Sequence, residues 1–388
     1  MRSPVAQRGV VDDALRAVGP DLALLAAGVA AVVLLAVLWL AVQWLRRPPG
    51  VRFQRLLDDH DRVAVLMHPN PDPDAMSCAL AVAAIAETVD TETRLCYPGQ
   101  IRHQENRAFR TVLELEAERI DTADELDDDP VVLVDHNAAR GFPGAEGVDP
   151  IAVVDHHPGD GEGTSFTDVR TNYGACASIL AEYLEAVGVR PIGDDEDADD
   201  AAQPLPWEVA TGLLYGIQSD TNHLTKGCTG AEFSAAAYLF PGIDEGALDR
   251  IANPQVSAET LEIKARAIRE REIRGSFAVA AVGDVSNVDA IPQAADELLY
   301  LEGITAVVVY GKYDDSLHLS GRSRDDRVHM GDILSSVVDD IPMASAGGHA
   351  RMGGGQISIA HMQGIGPSEG LTEHEFTERL FGALSGDI

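Results

Sequence analysis

The residues in this chain with types and spacing suited to chemistry fall into four groups. His68, Asp72 and Asp74 lie in His68-Pro69-Asn70-Pro71-Asp72-Pro73-Asp74; Asp135 opens Asp135-His136-Asn137; Asp155, His156 and His157 are consecutive; Asp220 stands alone. The first three groups each follow a short apolar, strand-like run, at residues 63–67, 131–134 and 151–154. In an open parallel sheet the carboxyl ends of the strands form the ligand crevice, so these side chains are expected along one edge. Carboxylates and imidazoles gathered there repel one another and lose solvation unless cations compensate them. Oxygen and nitrogen donors without thiolate suit manganese or magnesium-like ions better than a structural zinc. The carboxylates suffice to bridge two ions, and such pairs, ~3.5–4 Å apart, activate water for in-line attack on phosphorus.

Positioning these groups requires a regular frame, and the hydrophobic pattern supplies one. Strands are expected over 63–67, 93–97, 131–134 and 151–154, with helices over 75–89, 105–115, 174–187 and 208–217, the last delivering Asp220. Such alternation implies a parallel sheet covered by helices. Pro69, Pro71 and Pro73 hold the first loop extended. Residues 257–274 read as a connecting helix that Ser257 or Thr260 caps. A second alternating unit follows, with strands over 277–282, 305–310 and 317–320 and helices over 292–301 and 330–338. A glycine-rich turn at 346–355, a strand over 356–360 and a helix over 373–384 close the chain. The acidic run 194–200 is expected to be a solvated loop.

Acidic residues number 63 against 29 basic ones in the 388-residue chain, a formal net charge of −34. Lys226, Lys264 and Lys312 are the only lysines. This balance fits solubility in a salty, halophilic cytoplasm, where screening tempers self-repulsion. No broad basic face for long nucleic acid can be assembled. Cys78, Cys96, Cys176 and Cys228 form no CxxC pair and read as reduced. Residues 22–45 contain no charge and are long enough to span a bilayer of ~20 residues' depth. Trp39 and Trp44 lie toward the Arg46-Arg47 end, so a single-pass anchor is expected, with the large part facing the cytoplasm.

In order and spacing, the four groups resemble the motifs of the DHH phosphoesterase superfamily. Gly347-Gly348-His349 with Gly353-Gly354-Gly355 resembles the glycine-rich signature of its DHHA1 subfamily. The resemblance implies two α/β domains, a parallel-sheet DHH domain and a smaller DHHA1 domain, with an active-site cleft between them, preceded by one transmembrane helix. The corresponding boundaries are 1–50 for the membrane segment, 51–250 for the catalytic domain, 251–275 for a linker helix and 276–388 for the substrate-binding domain. It further implies two Mn2+ ions, Mg2+ or Co2+ being alternatives. One would be held by His68, Asp72 and Asp135, the other by Asp74, Asp135, His156 and Asp220. His157 would lie near the scissile phosphate and Asp155 would support the ligands. Arg322, Gly347, Gly348 and His349 would bind substrate; Arg351 departs from the small residue expected after the histidine. His136 and Asn137 are expected to support the ligands, and His103, His223, His318, His329 and His361 to be ordinary surface or core histidines.

The resemblance thus implies a membrane-tethered phosphodiesterase for a small nucleotide, cyclic di-AMP first, with a homodimer compatible. Short oligonucleotides or adenosine bisphosphate are the alternative substrates, as for nanoRNase-like relatives. A catalytically silent membrane nucleotide sensor is a third reading, opposed by the complete set of expected ligands. A processive exonuclease would need a basic channel, and a pyrophosphatase of the superfamily lacks the Gly-Gly-His signature.

Overall fold

The computed structural model describes residues 28–29, 31–35, 47–101, 103–193, 203–325, 327–364 and 370–386. Most of the expected membrane span at 22–45, and all of the acidic run 194–200, lie outside the described residues. Residues 28–29 and 31–35 are helical, with Val29, Val32, Val33, Leu34 and Leu35 exposed. Among the described residues no helix is long and apolar enough to cross a membrane. The chain divides into two compact units, Met1–Ala252 and Asn253–Ile388.

In the first unit, helix α1 (Pro49–Asp58) precedes strand β1 (Arg62–Leu66), helix α2 (Pro73–Glu87), β2 (Glu92–Pro98), α3 (Gln104–Val112), β3 (Glu118–Ile120), β4 (Val131–Val134), β5 (Ala152–Asp155) and β6 (Phe166–Val169). Helices α4 (Cys176–Ala186), α5 (Trp207–Asp220), α6 (Gly230–Leu239) and α7 (Glu245–Ala252) follow, with a two-stranded ribbon of β7 (Arg190–Pro191) and β8 (Pro204–Leu205) between α4 and α5. The six-stranded sheet runs β3-β2-β1-β4-β5-β6, parallel throughout. Its strand order reverses between β1 and β4, the kind of switch point where parallel sheets open a crevice. Strands β1, β4 and β5 are buried almost end to end, as strands covered on both faces must be. Helix α2 is apolar nearly all round and packs between neighbours, consistent with a core helix. The alternation foretells β1, β2, β4 and β5, whereas the short, half-polar β3 and β6 carry too weak a period to be read.

Gly216 on α5 admits a close helix crossing. A Cβ there would lie 2.5 Å from Ser77 Oγ and 3.2 Å from Asp74 Cα. This approach sets α5 against the first turn of α2, and Asp220, one turn beyond Gly216, lands beside Asp74.

The second unit contains α8 (Ala258–Glu270), β9 (Arg271–Arg274), β10 (Phe277–Asp284), α9 (Ala290–Leu299), β11 (Ala306–Tyr313), β12 (Ser316–Ser323), α10 (Met330–Val338), β13 (Ser345–Gly348), β14 (Met352–Ser358), α11 (Ile359–Met362) and α12 (Glu373–Ser385). Its sheet, β13-β14-β12-β11-β10-β9, is parallel only at β10–β11 and antiparallel elsewhere. Two expectations change here. The last residues of the expected connecting helix are strand β9, paired to β10. The glycine-rich stretch is an antiparallel hairpin rather than a turn: Gly347 pairs with Gly354 and Gly348 with Gly353. Glycine has low strand propensity, so the pattern reads as loop, but the backbone here pairs on both sides of β14.

Candidate metal centre

Residues at or just past the carboxyl ends of β1, β4, β5 and α5 meet in the first unit. Asp72 caps α2: its Oδ1 accepts from Ala75 N at 3.0 Å, leaving Oδ2 3.5 Å from His68 Nε2. Asp74, fully buried in the same helix's first turn, accepts from Cys176 N at 2.7 Å and Ala177 N at 2.8 Å. These are the first amides of α4, so a helix N-terminus holds the carboxylate in place.

Asp135, directly after β4, lies in the left-handed region, at φ 61°, a conformation that costs a non-glycine residue about 1–3 kcal/mol and clusters at functional sites. Its amide donates to Val154 O at 2.9 Å, tying it to β5. Its Oδ2 lies 3.6 Å from His68 Nε2, and its Oδ1 lies 3.4 Å from His156 Nε2 and 3.6 Å from His157 Nδ1. His156 Nε2 is also 3.8 Å from Asp74 Oδ2 and 3.5 Å from Asp220 Oδ2.

The imidazole orientations follow from their backbone partners. His68 Nδ1 faces Pro69 O at 3.0 Å, and His156 Nδ1 faces Tyr173 O at 3.2 Å. A carbonyl only accepts, so each Nδ1 carries a hydrogen and each Nε2 faces the carboxylates, leaving Nε2 as the nitrogen that a metal would take on loss of its proton. His157 Nδ1 instead donates to Asp155 Oδ1 at 2.9 Å; the same oxygen accepts the amides of His156 and His157. That leaves His157 Nε2 as its outward nitrogen on a half-exposed ring.

Both Asp135 oxygens, His156 Nε2 and Asp155 Oδ2 are buried without a hydrogen-bond partner. Unpaired buried polar atoms cost ~1–3 kcal/mol each, more when charged. Two donors on one ion at ~2.0–2.2 Å lie ~3.0–3.5 Å apart. The observed 3.4–3.8 Å separations are long for hydrogen bonds and close to that spacing. Three groups of side chains converge tightly enough for a cation: His68, Asp72 and Asp135; Asp74, His156 and Asp220; and Asp135, His156 and His157. The residues fit a pair of divalent ions, with one Asp135 oxygen facing each of the first two groups. Asp155 belongs to none of the three.

The electrostatics show the same demand for positive charge. Burial and then the charges of Asp135 and Asp220 push Asp74 well above the carboxylate range. Burial, Asp72 and Asp135 raise Asp220 to about 7. Burial opposes the proton on His68 and His156, but the surrounding carboxylates outweigh it, lifting them to about 11 and about 10. Asp135 is held at about 2, burial being outweighed by His156 and His68. Protons thus occupy, in part, the place of cations. His136 is buried, bonds Val134 O through Nδ1 and falls to about 4 because of burial, so it stays neutral. Asn137 Nδ2 donates to Pro158 O at 3.2 Å, linking the loops after β4 and β5.

Several positioning groups carry no motif in the sequence: the Tyr173 carbonyl, the Cys176 and Ala177 amides, and Gly216. Glu232, buried, accepts from Gly174 N at 2.8 Å and so fixes the segment that bears Tyr173. Its place in the Thr229-x-x-Glu232 capping box was readable, its reach to Gly174 was not.

The four expected substrate residues all lie in the second unit. Gly347 and Gly348 are on β13 and His349 is exposed at the hairpin tip, its amide donating to Met352 O at 2.8 Å. The carbonyls of His349 and Ala350 accept the first amides of α10, from Gly331 at 3.1 Å and Met330 at 2.9 Å. Arg322, on β12, is largely buried, with Nε at 2.5 Å from Asp296 Oδ1 and a terminal nitrogen donating to Ser320 Oγ at 2.9 Å and Gly321 O at 3.0 Å.

Residues 62–217 match the DHH family, N-terminal domain, and residues 274–365 match the DHHA1 domain. The chain is 34% identical over 309 residues to an uncharacterized protein of Methanocaldococcus jannaschii, covering 79% of this chain and 60% of that one. It is 25% identical over 328 residues to a cyclic-di-AMP phosphodiesterase of Geobacillus thermodenitrificans, covering 79% of this chain and 46% of that one. The chain therefore spans about half the length of these two curated relatives. An exopolyphosphatase-related protein from Bacteroides fragilis shares the fold, with a TM-score of 0.58 at 14% identity over 87% of this chain and 95% of that one.

Proposed function

We propose that this chain, a DHH-family phosphoesterase with a DHHA1 domain, hydrolyses a small nucleotide phosphodiester, cyclic di-AMP foremost, with two Mn2+ ions. The observation that carries the reading is the shared carboxylate: Asp135 turns one unpaired, buried oxygen toward each of two cation-competent groups. His68, Asp72 and Asp135 would hold one ion, and Asp74, Asp135, His156 and Asp220 the other. When bound, such a pair supplies Lewis acidity and a water acidified toward neutral pH. The side chains do the rest. Contact with Asp155 raises the His157 pKa against partial burial, which favours a proton on the ring that its outward Nε2 can offer to a phosphate or leaving oxygen. Asp155 fixes the direction of that ring. Fixed donors and a buried bridging carboxylate need no reorganisation when charge develops on phosphorus.

The substrate preference draws on the curated cyclic-di-AMP phosphodiesterase relative, and on reading residues 22–45 as a membrane anchor with both units on the cytoplasmic side. Full-length protein in high salt with Mn2+ should consume cyclic di-AMP faster than a linear dinucleotide, with Asp135→Asn inactive on both. Faster loss of the linear compound would replace the signalling substrate with a recycling one. Tight binding without turnover would make the protein a sensor. Alkaline carbonate extraction of cell membranes tests the anchor, which should remain in the pellet.

A further inference from the structure

We propose that Arg110, flanked by Arg107 and Arg119, seats the non-scissile phosphate of the substrate in a cleft beside the metal centre; this rests on the phosphodiesterase reading above. The cleft, of about 770 Å³, is lined by Tyr97, Gln100, Ile101, Arg107, Arg110 and Arg119, with Glu114 and Glu116 also on its wall. It opens at the carboxyl end of β2, the neighbour of β1 in the sheet, where Leu66 pairs with Cys96. His68 therefore emerges about one strand spacing, ~4.8 Å, from the backbone that begins the cleft.

Both walls are bonded to the loop that carries His68 and Asp72. On one side Asn70 N donates to Pro98 O at 3.1 Å, and Asn70 Oδ1 accepts from Gln100 N at 3.0 Å. On the other, buried Asn106 of α3 donates to Pro71 O at 3.0 Å. Asn106 lies next to Arg107 and one turn before Arg110, so the arginines are referenced to the metal ligands through rigid backbone contacts.

The charge pattern makes the cleft unusual for this molecule. A chain with net charge −34 repels an anionic substrate at long range, and local cations must overcome that field. Arg119 pairs with Asp121 at 2.7 Å. Arg110 meets only Tyr97 Oη, at 3.5 Å, and forms no ion pair among the described residues, although Glu114 lies one turn away on the chain. An exposed guanidinium left uncompensated in so acidic a protein presents a planar fork suited to phosphate. Tyr97, buried behind it, limits where the fork can point.

The test compares a substrate with two phosphates and one with a single diester on the full-length Mn2+-loaded protein: cyclic di-AMP or its linear dinucleotide, and bis(p-nitrophenyl) phosphate. Arg110→Ala, at an exposed position, should raise KM for the dinucleotide about ten-fold or more, the scale of a charged hydrogen bond to phosphate. Its kcat, and its kcat/KM on bis(p-nitrophenyl) phosphate, should stay within about two-fold of wild type. Arg110→Lys should recover part of the loss and Arg110→Glu deepen it. An equal change on both substrates, or none on the dinucleotide, overturns the assignment while leaving the phosphodiesterase reading intact. Wild-type protein that hydrolyses neither compound removes that reading, and the cleft's role with it.

Discussion

The candidate metal centre of the first unit and the glycine-rich hairpin of the second were both prominent in the sequence, yet they are built on opposite principles. The centre is buried, with an oxygen pair and an imidazole nitrogen lacking partners and a left-handed aspartate at its middle. The hairpin is held by backbone bonds: β14 pairs with β13 on one edge and β12 on the other, and the tip carbonyls close the start of α10. Arg322, beneath it, is committed to Asp296, Ser320 and Gly321. A site that leaves buried charges unpaired is organised around something the polypeptide does not contain. A hairpin built on paired backbone is stable without a ligand and offers one chiefly its surface.

The largest expected effect breaks the first region. Asp135→Asn removes the carboxylate facing both groups and should lower phosphodiester turnover about 1,000-fold, the several kcal/mol that metal-held charge contributes. Turnover within ten-fold of wild type, in steady-state assays with Mn2+, would sink the shared-ligand reading. The matching change in the second region acts on stability. Gly348 sits at φ 150°, and a Cβ there would lie 2.3 Å from Met352 O. Gly348→Val should destabilise the second unit by about 2–4 kcal/mol while Mn2+ still binds the first, which urea unfolding with and without the ion would read.

A smaller effect sharpens the contrast through ligand linkage. Mn2+ at about 100 times its dissociation constant should stabilise the wild-type fold by about 2.7 kcal/mol for each ion bound, and Asp135→Asn should lose that gain while His349→Ala keeps it. The same titration should release protons. In the metal-free fold His68 and His156 titrate at about 11 and about 10, both raised, so at pH 7 each holds a proton that ligation must expel. Calorimetry in buffers of different ionisation heat should count more than two protons leaving, the two imidazole protons plus those that Asp74 and Asp220, both raised by burial and neighbouring carboxylates, give up; none leaving would contradict the assigned ligands. Because those pKa values lie above the ordinary 6.5, their contribution to metal-free stability is full below pH ~6.5 and fades as pH rises toward 10–11. The metal-free melting temperature should fall across that window. The smallest effect is at His349: exposed at the hairpin tip, its change to alanine should move stability by less than about 0.5 kcal/mol, as thermal melts would show.

Much of the first unit was legible because its signals are local. Unbroken apolar runs mark β1, β2, β4 and β5, since a strand buried on both faces must be apolar throughout, and the polar residues directly after three of them mark the ligand edge. The second sheet was less legible: β13 and β14 are glycine strands whose pairing depends on partners, not on their own composition. The amino-acid sequence alone therefore determined the donor types, their order and the strand ends that carry them. Only the tertiary structure decided that Asp135 lies between two groups, that amides 102 and 103 residues away hold Asp74, that Tyr173 orients His156, and that Arg322 is already paired. Those outcomes depend on contacts between distant segments, set by sheet order, helix crossings and burial, and no window along the chain encodes them.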